Sequence, residues 1–210
     1  IQRSLACGSA RHQASCSLKR SCKHIGDRVR LAIPATTPHH QTSDFSPSAG
    51  GNPLAKTTIS GATAPFYASI GPVLTRYEAD LDTATLAPAQ SLSLDLDIQY
   101  AWRHPILPVF YVAISNGGPG RKGDINKLVS CRIDPSTGDI ALFGPAQDLR
   151  WRPLHLSLDK QNAHVLVAYN NPSAVTVHAI GPDGALGDEV PRSPDLDVGI
   201  FGHQVLVTPD

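Results

Sequence analysis

Leu128-Val129-Ser130-Cys131-Arg132-Ile133-Asp134-Pro135-Ser136-Thr137-Gly138-Asp139-Ile140 reads as a strand, a tight turn and the start of a second strand. Apolar residues alternate with polar or small ones up to Ile133, which is the period-two signature of a strand with one buried face. A cluster of Asp, Pro, Ser, Thr and Gly then breaks the pattern, and the chain returns to an apolar residue at Ile140. Turn residues between two alternating runs predict a hairpin.

The same line returns on either side. Val175-Thr176-Val177-His178-Ala179-Ile180-Gly181-Pro182-Asp183-Gly184-Ala185-Leu186 repeats it downstream, and Leu74-Thr75-Arg76-Tyr77-Glu78-Ala79-Asp80-Leu81-Asp82-Thr83-Ala84-Thr85-Leu86 is a worn copy upstream. The first residues of the three copies lie 54 and 47 positions apart. Ahead of two copies stand Val109 to Asn116 and His164 to Asn170, both rich in β-branched and aromatic residues, with their final asparagines again 54 apart. A shorter strand, Leu154 to Asp159, precedes the latter and has a partner in His203 to Asp210. The unit is therefore four short strands in about fifty residues, a period that marks repeat architectures. It matches the blade of a β-propeller, a four-stranded sheet repeated around an axis. A β-sandwich also offers short strands and turns, but gives no reason for one turn chemistry to recur at a fixed period. No long amphipathic helical stripe interrupts the pattern. The expected fold is all-β, a partial β-propeller of about three to three and a half blades.

The two ends of the chain differ in composition. Residues 1–64 carry eight Lys and Arg against two acids, whereas residues 65–210 carry ten against sixteen. The first stretch is rich in Ser, Arg, His and Pro, without strand alternation or a helical stripe. It reads as an unstructured basic tail, from non-coding sequence read through or from a targeting segment. Residues 65–210 read as the incomplete propeller. The 210 residues contain no methionine, and the last copy stops early, so the chain is expected to be a piece of a longer protein or of an interrupted gene. An acidic repeat region with 6% aromatic residues overall gives no electrostatic reason to expect nucleic acid as a partner. No apolar run approaches the roughly 18 residues of a membrane span, so no membrane partner is expected.

Few residues are placed to carry chemistry. Cys7, Cys16 and Cys22 fall in the tail with His12 and His24 nearby, but without a C-x-x-C pair the spacing is a poor match for zinc, and no metal or cofactor is expected. Cys131 reads as a buried small hydrophobe. His155 and His203 both stand at the entry of the first strand of successive blades. That strand lies nearest the axis, so both are expected to line the channel mouth, where a histidine can act as general acid or base. His104, before Pro105, reads as a turn residue, and His164 and His178 as solvent-facing residues of outer strands. Gly117-Gly118-Pro119-Gly120-Arg121-Lys122-Gly123-Asp124 is a glycine-rich basic loop. It joins two strands rather than feeding a helix, so it reads as a flexible connection and not as a phosphate cradle.

Arg152-Pro153-Leu154-His155-Leu156-Ser157-Leu158-Asp159, then Leu166-Val167-Ala168-Tyr169-Asn170-Asn171, then Val175-Thr176-Val177-His178, resembles the seven-bladed propeller lactonases. That family includes the bacterial propeller-type 6-phosphogluconolactonase and the fungal carboxymuconate cyclase. Gly202-His203-Gln204-Val205-Leu206-Val207-Thr208-Pro209-Asp210 is similar to the family's next blade entry. The resemblance covers about residues 65–210. It implies a cytoplasmic enzyme that opens or closes a lactone ring, a small-molecule lactone as partner, no metal, and catalysis by histidine, arginine and glutamate in the central cleft. His203 matches the histidine, with His155 as its neighbour one blade back; the arginine and glutamate are expected downstream of Asp210. The alternative is a non-catalytic propeller scaffold that binds a protein or small ligand, since the fold hosts both.

Overall fold

A computed structural model describes the side chains of residues 61–191 and 196–208, together with the backbone strand at 30–34. Among the described residues, three four-stranded antiparallel sheets account for every strand. The first blade is β1 (Arg30–Pro34), β2 (Thr63–Ile70), β3 (Val73–Asp80) and β4 (Thr85–Ser93). The second is β5 (Asp97–Arg103), β6 (Val109–Ser115), β7 (Asn126–Ile133) and β8 (Ile140–Asp148). The third is β9 (Pro153–Leu158), β10 (His164–Tyr169), β11 (Ala174–Ile180) and β12 (Leu186–Glu189). Within each sheet, strands that follow in sequence lie side by side. The first strands β1, β5 and β9 pack against one another in that order, and the fourth strands β4, β8 and β12 do likewise. The chain is thus an arc of β-propeller blades, each built from its inner strand outward.

The repeat copies are the β3–β4, β7–β8 and β11–β12 hairpins, and Asn116 and Asn170 each follow the second strand of their blade. The tail expected at residues 1–64 lies mostly outside the described residues. Within it, Arg30–Pro34 form β1 and pair antiparallel with β2, and the boundary drawn at 64 falls inside β2.

Alternation in the sequence predicts strands with one buried face, and for the middle blade this needs correction. All seven residues of β6 are buried. The reason is that blade 2 is covered on both sides. Phe110, Val112 and Ile114 face blade 1 in a core with Tyr67, Leu74, Val129 and Cys131. Val109, Tyr111 and Ala113 face blade 3 in a second core with Leu156, Val165, Val167 and Tyr169. Cys131 is fully buried, as expected, and burial pushes its thiol up to about 12.

One polar device recurs at both blade interfaces. The Tyr67 hydroxyl donates to the Gly138 carbonyl at 2.6 Å, and the Tyr111 hydroxyl donates to the Gly184 carbonyl at 3.0 Å. In each case a second-strand tyrosine reaches the third-to-fourth strand hairpin of the next blade. Burial raises the pKa of both phenols, keeping them neutral donors. The glycine is required at the far end. Gly184 has φ +86°, and a Cβ there would come within 2.9 Å of Val109 Cγ2. The Gly in the repeated turn therefore serves both the left-handed turn and the close approach of the neighbouring blade.

Candidate functional site

The connections at one rim of the blades enclose a cleft of about 270 Å³. The β6–β7 loop brings Arg121 and Lys122, the β8–β9 connection brings Arg150, Trp151 and Arg152, and the β10–β11 turn brings Asn170. Four cationic side chains thus meet at one cleft, though the repeat region as a whole is acidic. Three are anchored. Arg121 pairs with Asp97 at 2.7 Å, Arg150 lies 3.6 Å from Glu189, and Arg152 Nε donates to Gln99 Oε1 at 2.9 Å. The mixed positive field suits an anionic ligand group.

The glycine-rich loop is more organised than its composition predicts. Gly118 and Arg121 exchange two backbone hydrogen bonds, and Asn116 Oδ1 accepts from the amides of Asp124 and Ile125, both at 3.0 Å. Gly123 passes so near Gly117 that a Cβ would sit 2.3 Å from the Gly117 nitrogen. Its glycines allow a tight folded-back loop, which points Arg121 and Lys122 at the cleft.

His203 stands beside this cleft. It is exposed, and its Nε2 lies 3.2 Å from Asn170 Nδ2. The segment that carries it packs along blade 3 through side-chain hydrogen bonds. Ser157 Oγ donates to the Val205 carbonyl at 2.7 Å, the Val205 amide points to His155 Nδ1 at 3.5 Å, and the Gly202 amide donates to Ser173 Oγ at 3.1 Å. It lies against β9, where the inner strand of a following blade is expected.

His155 does not line the channel mouth as its sequence position predicts. It is 4% exposed, with its ring centroid 4.6 Å from that of Tyr100 and 5.8 Å from that of Trp102. Desolvation lowers its pKa. Alternation along β9 turns the residue toward the aromatic side chains of the neighbouring inner strand rather than toward water. Its contact with the His203 segment is at Val205, so it steadies that segment.

His178 departs from the solvent-facing expectation, whereas the His164 side chain is 38% exposed, in keeping with it. His178 is 1% exposed on β11. Its Nε2 is 3.1 Å from Thr176 Oγ1, which is itself 2.8 Å from the Tyr169 hydroxyl, and its Nδ1 is buried without a partner. Desolvation lowers its pKa, against an opposing pull from Glu189. His164 pairs with Asp159 Oδ2 at 2.9 Å. His178 is buried because it stands opposite Val165, which packs in the core shared with blade 2. His104 is a turn residue as expected: its Nδ1 accepts from the amides of Ile106 and Leu107 at 3.1 and 2.8 Å.

The sequence reasoning missed Asn170 as a partner of His203 and the cationic group at 150–152. The run Arg150-Trp151-Arg152 between two strands was the available signal, an aromatic flanked by arginines at a blade entry. A second cavity of about 400 Å³ lies between blades 1 and 2 at the opposite rim, lined by Tyr67, Glu78, Arg103, Pro108 and Thr137. Arg103 Nε has no partner and is closed to solvent. Among the described residues no three His, Cys, Asp or Glu side chains gather as a metal site; Cys7, Cys16, Cys22, His12 and His24 lie outside them.

No family model and no curated protein sequence matches the chain. Among solved structures it is similar to the Pseudomonas aeruginosa periplasmic gluconolactonase PpgL, at 17% sequence identity and a TM-score of 0.52. The match covers 60% of this chain and 36% of that one, so it spans about a third of that structure's length.

Proposed function

We propose that this chain is part of a β-propeller lactonase and that the cleft beside His203 receives the ring ester. The observation that carries the proposal is the placement of an exposed histidine at the rim of a cationic cleft formed by the blade entries. The sequence resemblance to propeller lactonases and the structural likeness to a periplasmic gluconolactonase both support it.

Hydrolysis of a lactone adds water to the carbonyl carbon and breaks the bond from that carbon to the ring oxygen. The ring oxygen leaves with a proton as a hydroxyl, and the product is a carboxylate. Charge develops on the carbonyl oxygen as water attacks, and a positioned hydrogen-bond donor lowers that barrier. His203 is the group assigned to this task. The finer choice of substrate is a lactone bearing an acidic group, such as 6-phosphogluconolactone, because Arg121, Lys122, Arg150 and Arg152 converge on the cleft.

The test is a pH-stat assay of the protein carrying this chain, with glucono-lactone and its 6-phosphate compared at low and high salt. Hydrolysis above the spontaneous rate is expected, faster for the phosphorylated ring and weakened for it by salt. Saturable binding of both compounds without turnover would support a binding scaffold instead.

A further inference from the structure

We infer that Asn170 is a positioning residue that sets the tautomer of His203, so that the imidazole presents its Nδ1–H to the ligand. The contact itself carries the inference. Asn170 Nδ2 is 3.2 Å from His203 Nε2. An amide nitrogen only donates, so Nε2 must accept, and a neutral ring that accepts at Nε2 holds its proton on Nδ1. Free histidine prefers the opposite tautomer, so Asn170 would be reversing the ring's own preference.

The surroundings fit a device built for orientation. His203 is exposed, so burial does not lock its rotamer. Among the described residues Asn170 is the ring's hydrogen-bond partner, and Nδ1 has none. Asn170 sits on the β10–β11 turn and lines the cationic cleft, which places the paired ring at the cleft's edge. The backbone on either side is tied to blade 3 by Ser173 at Gly202 and by Ser157 at Val205. Both the chain and the ring of His203 are therefore referred to one rigid sheet.

The consequence is chemical. An imidazole whose Nε2 is occupied and whose Nδ1 carries the proton enters as a hydrogen-bond donor, not as a base. Resting on the lactonase proposal, this makes His203 the group that polarises the ester carbonyl, while deprotonation of water falls to another group.

The test is nitrogen-15 NMR of the histidine rings in the protein carrying this chain, well above the ordinary histidine pKa of about 6.5. The His203 signals are assigned by their loss in His203→Gln. Wild type is expected to show His203 as a single Nδ1–H tautomer. Asn170→Ala should restore the free-histidine mixture, and Asn170→Asp, which only accepts, should drive the ring to Nε2–H. The buried His178 ring serves as the internal control, its signals unchanged wherever blade 3 stays folded. An Nε2–H tautomer in wild type would overturn the inference. So would an Nδ1–H tautomer that survives in either variant with the His178 signals intact. The same samples separate the two proposals. Wild type without lactone hydrolysis defeats the lactonase reading and leaves the tautomer result standing. Turnover in wild type with kcat reduced about tenfold and KM held in Asn170→Ala supports both.

Discussion

Blade 2 and the segment around His203 are held by opposite means. In blade 2 every residue of β6 is buried, backbone ladders run on both sides of it, and two apolar cores close over its faces. Residues 202–208 form no strand, contrary to the inner strand expected from His203 onward, and are mostly exposed, with Leu206 at 63%. Their ties to blade 3 are hydrogen bonds with His155, Ser157, Asn170 and Ser173. Stability is concentrated in the first region, and the proposed chemistry in the second. A segment held by a few polar ties is adjustable at small cost, since each such bond is worth only about 1 kcal/mol net.

The largest effect that would break this contrast is expected in the blade 1–blade 2 core. Phe110→Ala removes a side chain that is 1% exposed and meets Tyr67 edge-on at 4.8 Å. It should cost about 3–5 kcal/mol in urea unfolding. A cost near that of a surface substitution would show that blade 2 is not the structural centre.

His178→Ala comes next. It opens a hole at a residue 1% exposed and removes the ring from the chain that links it through Thr176 to Tyr169. The expected loss is about 1–3 kcal/mol. The same site has a pH signature. Desolvation lowers the pKa of His178, as it does those of His104 and His155. The unfolded chain therefore binds protons more readily than the folded one at these sites. Their contribution is complete above the ordinary value of about 6.5 and is lost as pH falls through the lowered folded values. Unfolding midpoints measured from neutral to mildly acid pH should decline, and His178→Leu should flatten part of that decline. A flat wild-type profile would contradict the burial of these rings.

The tyrosine–glycine ties sharpen the comparison from within the rigid region. Tyr111→Phe and Tyr67→Phe each remove one hydroxyl that reaches a hairpin of the next blade, and each should cost about 1 kcal/mol. Similar costs would mark the two interfaces as copies of one device. The smallest effect is expected from Ser157→Ala, which releases the Val205 carbonyl to water. Global stability should shift by about 0.5 kcal/mol, the low end for one hydrogen bond, while amide exchange near Val205 quickens.

The blades were legible in the sequence because the turn chemistry repeats. A strand that ends in Asn, a second strand, and a turn built on Gly138 or Gly184 can be aligned by eye, and they occupy equivalent places in the fold. Burial was less legible. Period-two alternation marks which side a residue faces, but not what covers that side, and so His178 was expected to face water. His155 shows the same limit: its entry position was right, yet Tyr100 and Trp102 on the neighbouring inner strand close over it. Asn170 stands in the sequence as a repeat marker and as part of the family resemblance, not as a partner of His203. Its partner lies 33 residues away, and a contact between a turn and an incoming segment leaves no trace in periodicity. The cationic cleft is likewise assembled from three connections that only the stacking of blades brings together.

The most direct measurement is lactone hydrolysis by the protein carrying this chain and by its His203→Ala variant, at matched folded concentration. Hydrolysis should fall by at least about a hundredfold in kcat/KM while the unfolding midpoint stays at the wild-type value, because the ring is exposed and held by one amide. Equal hydrolysis by the two proteins would contradict the assignment of His203 and leave the cleft as a binding surface.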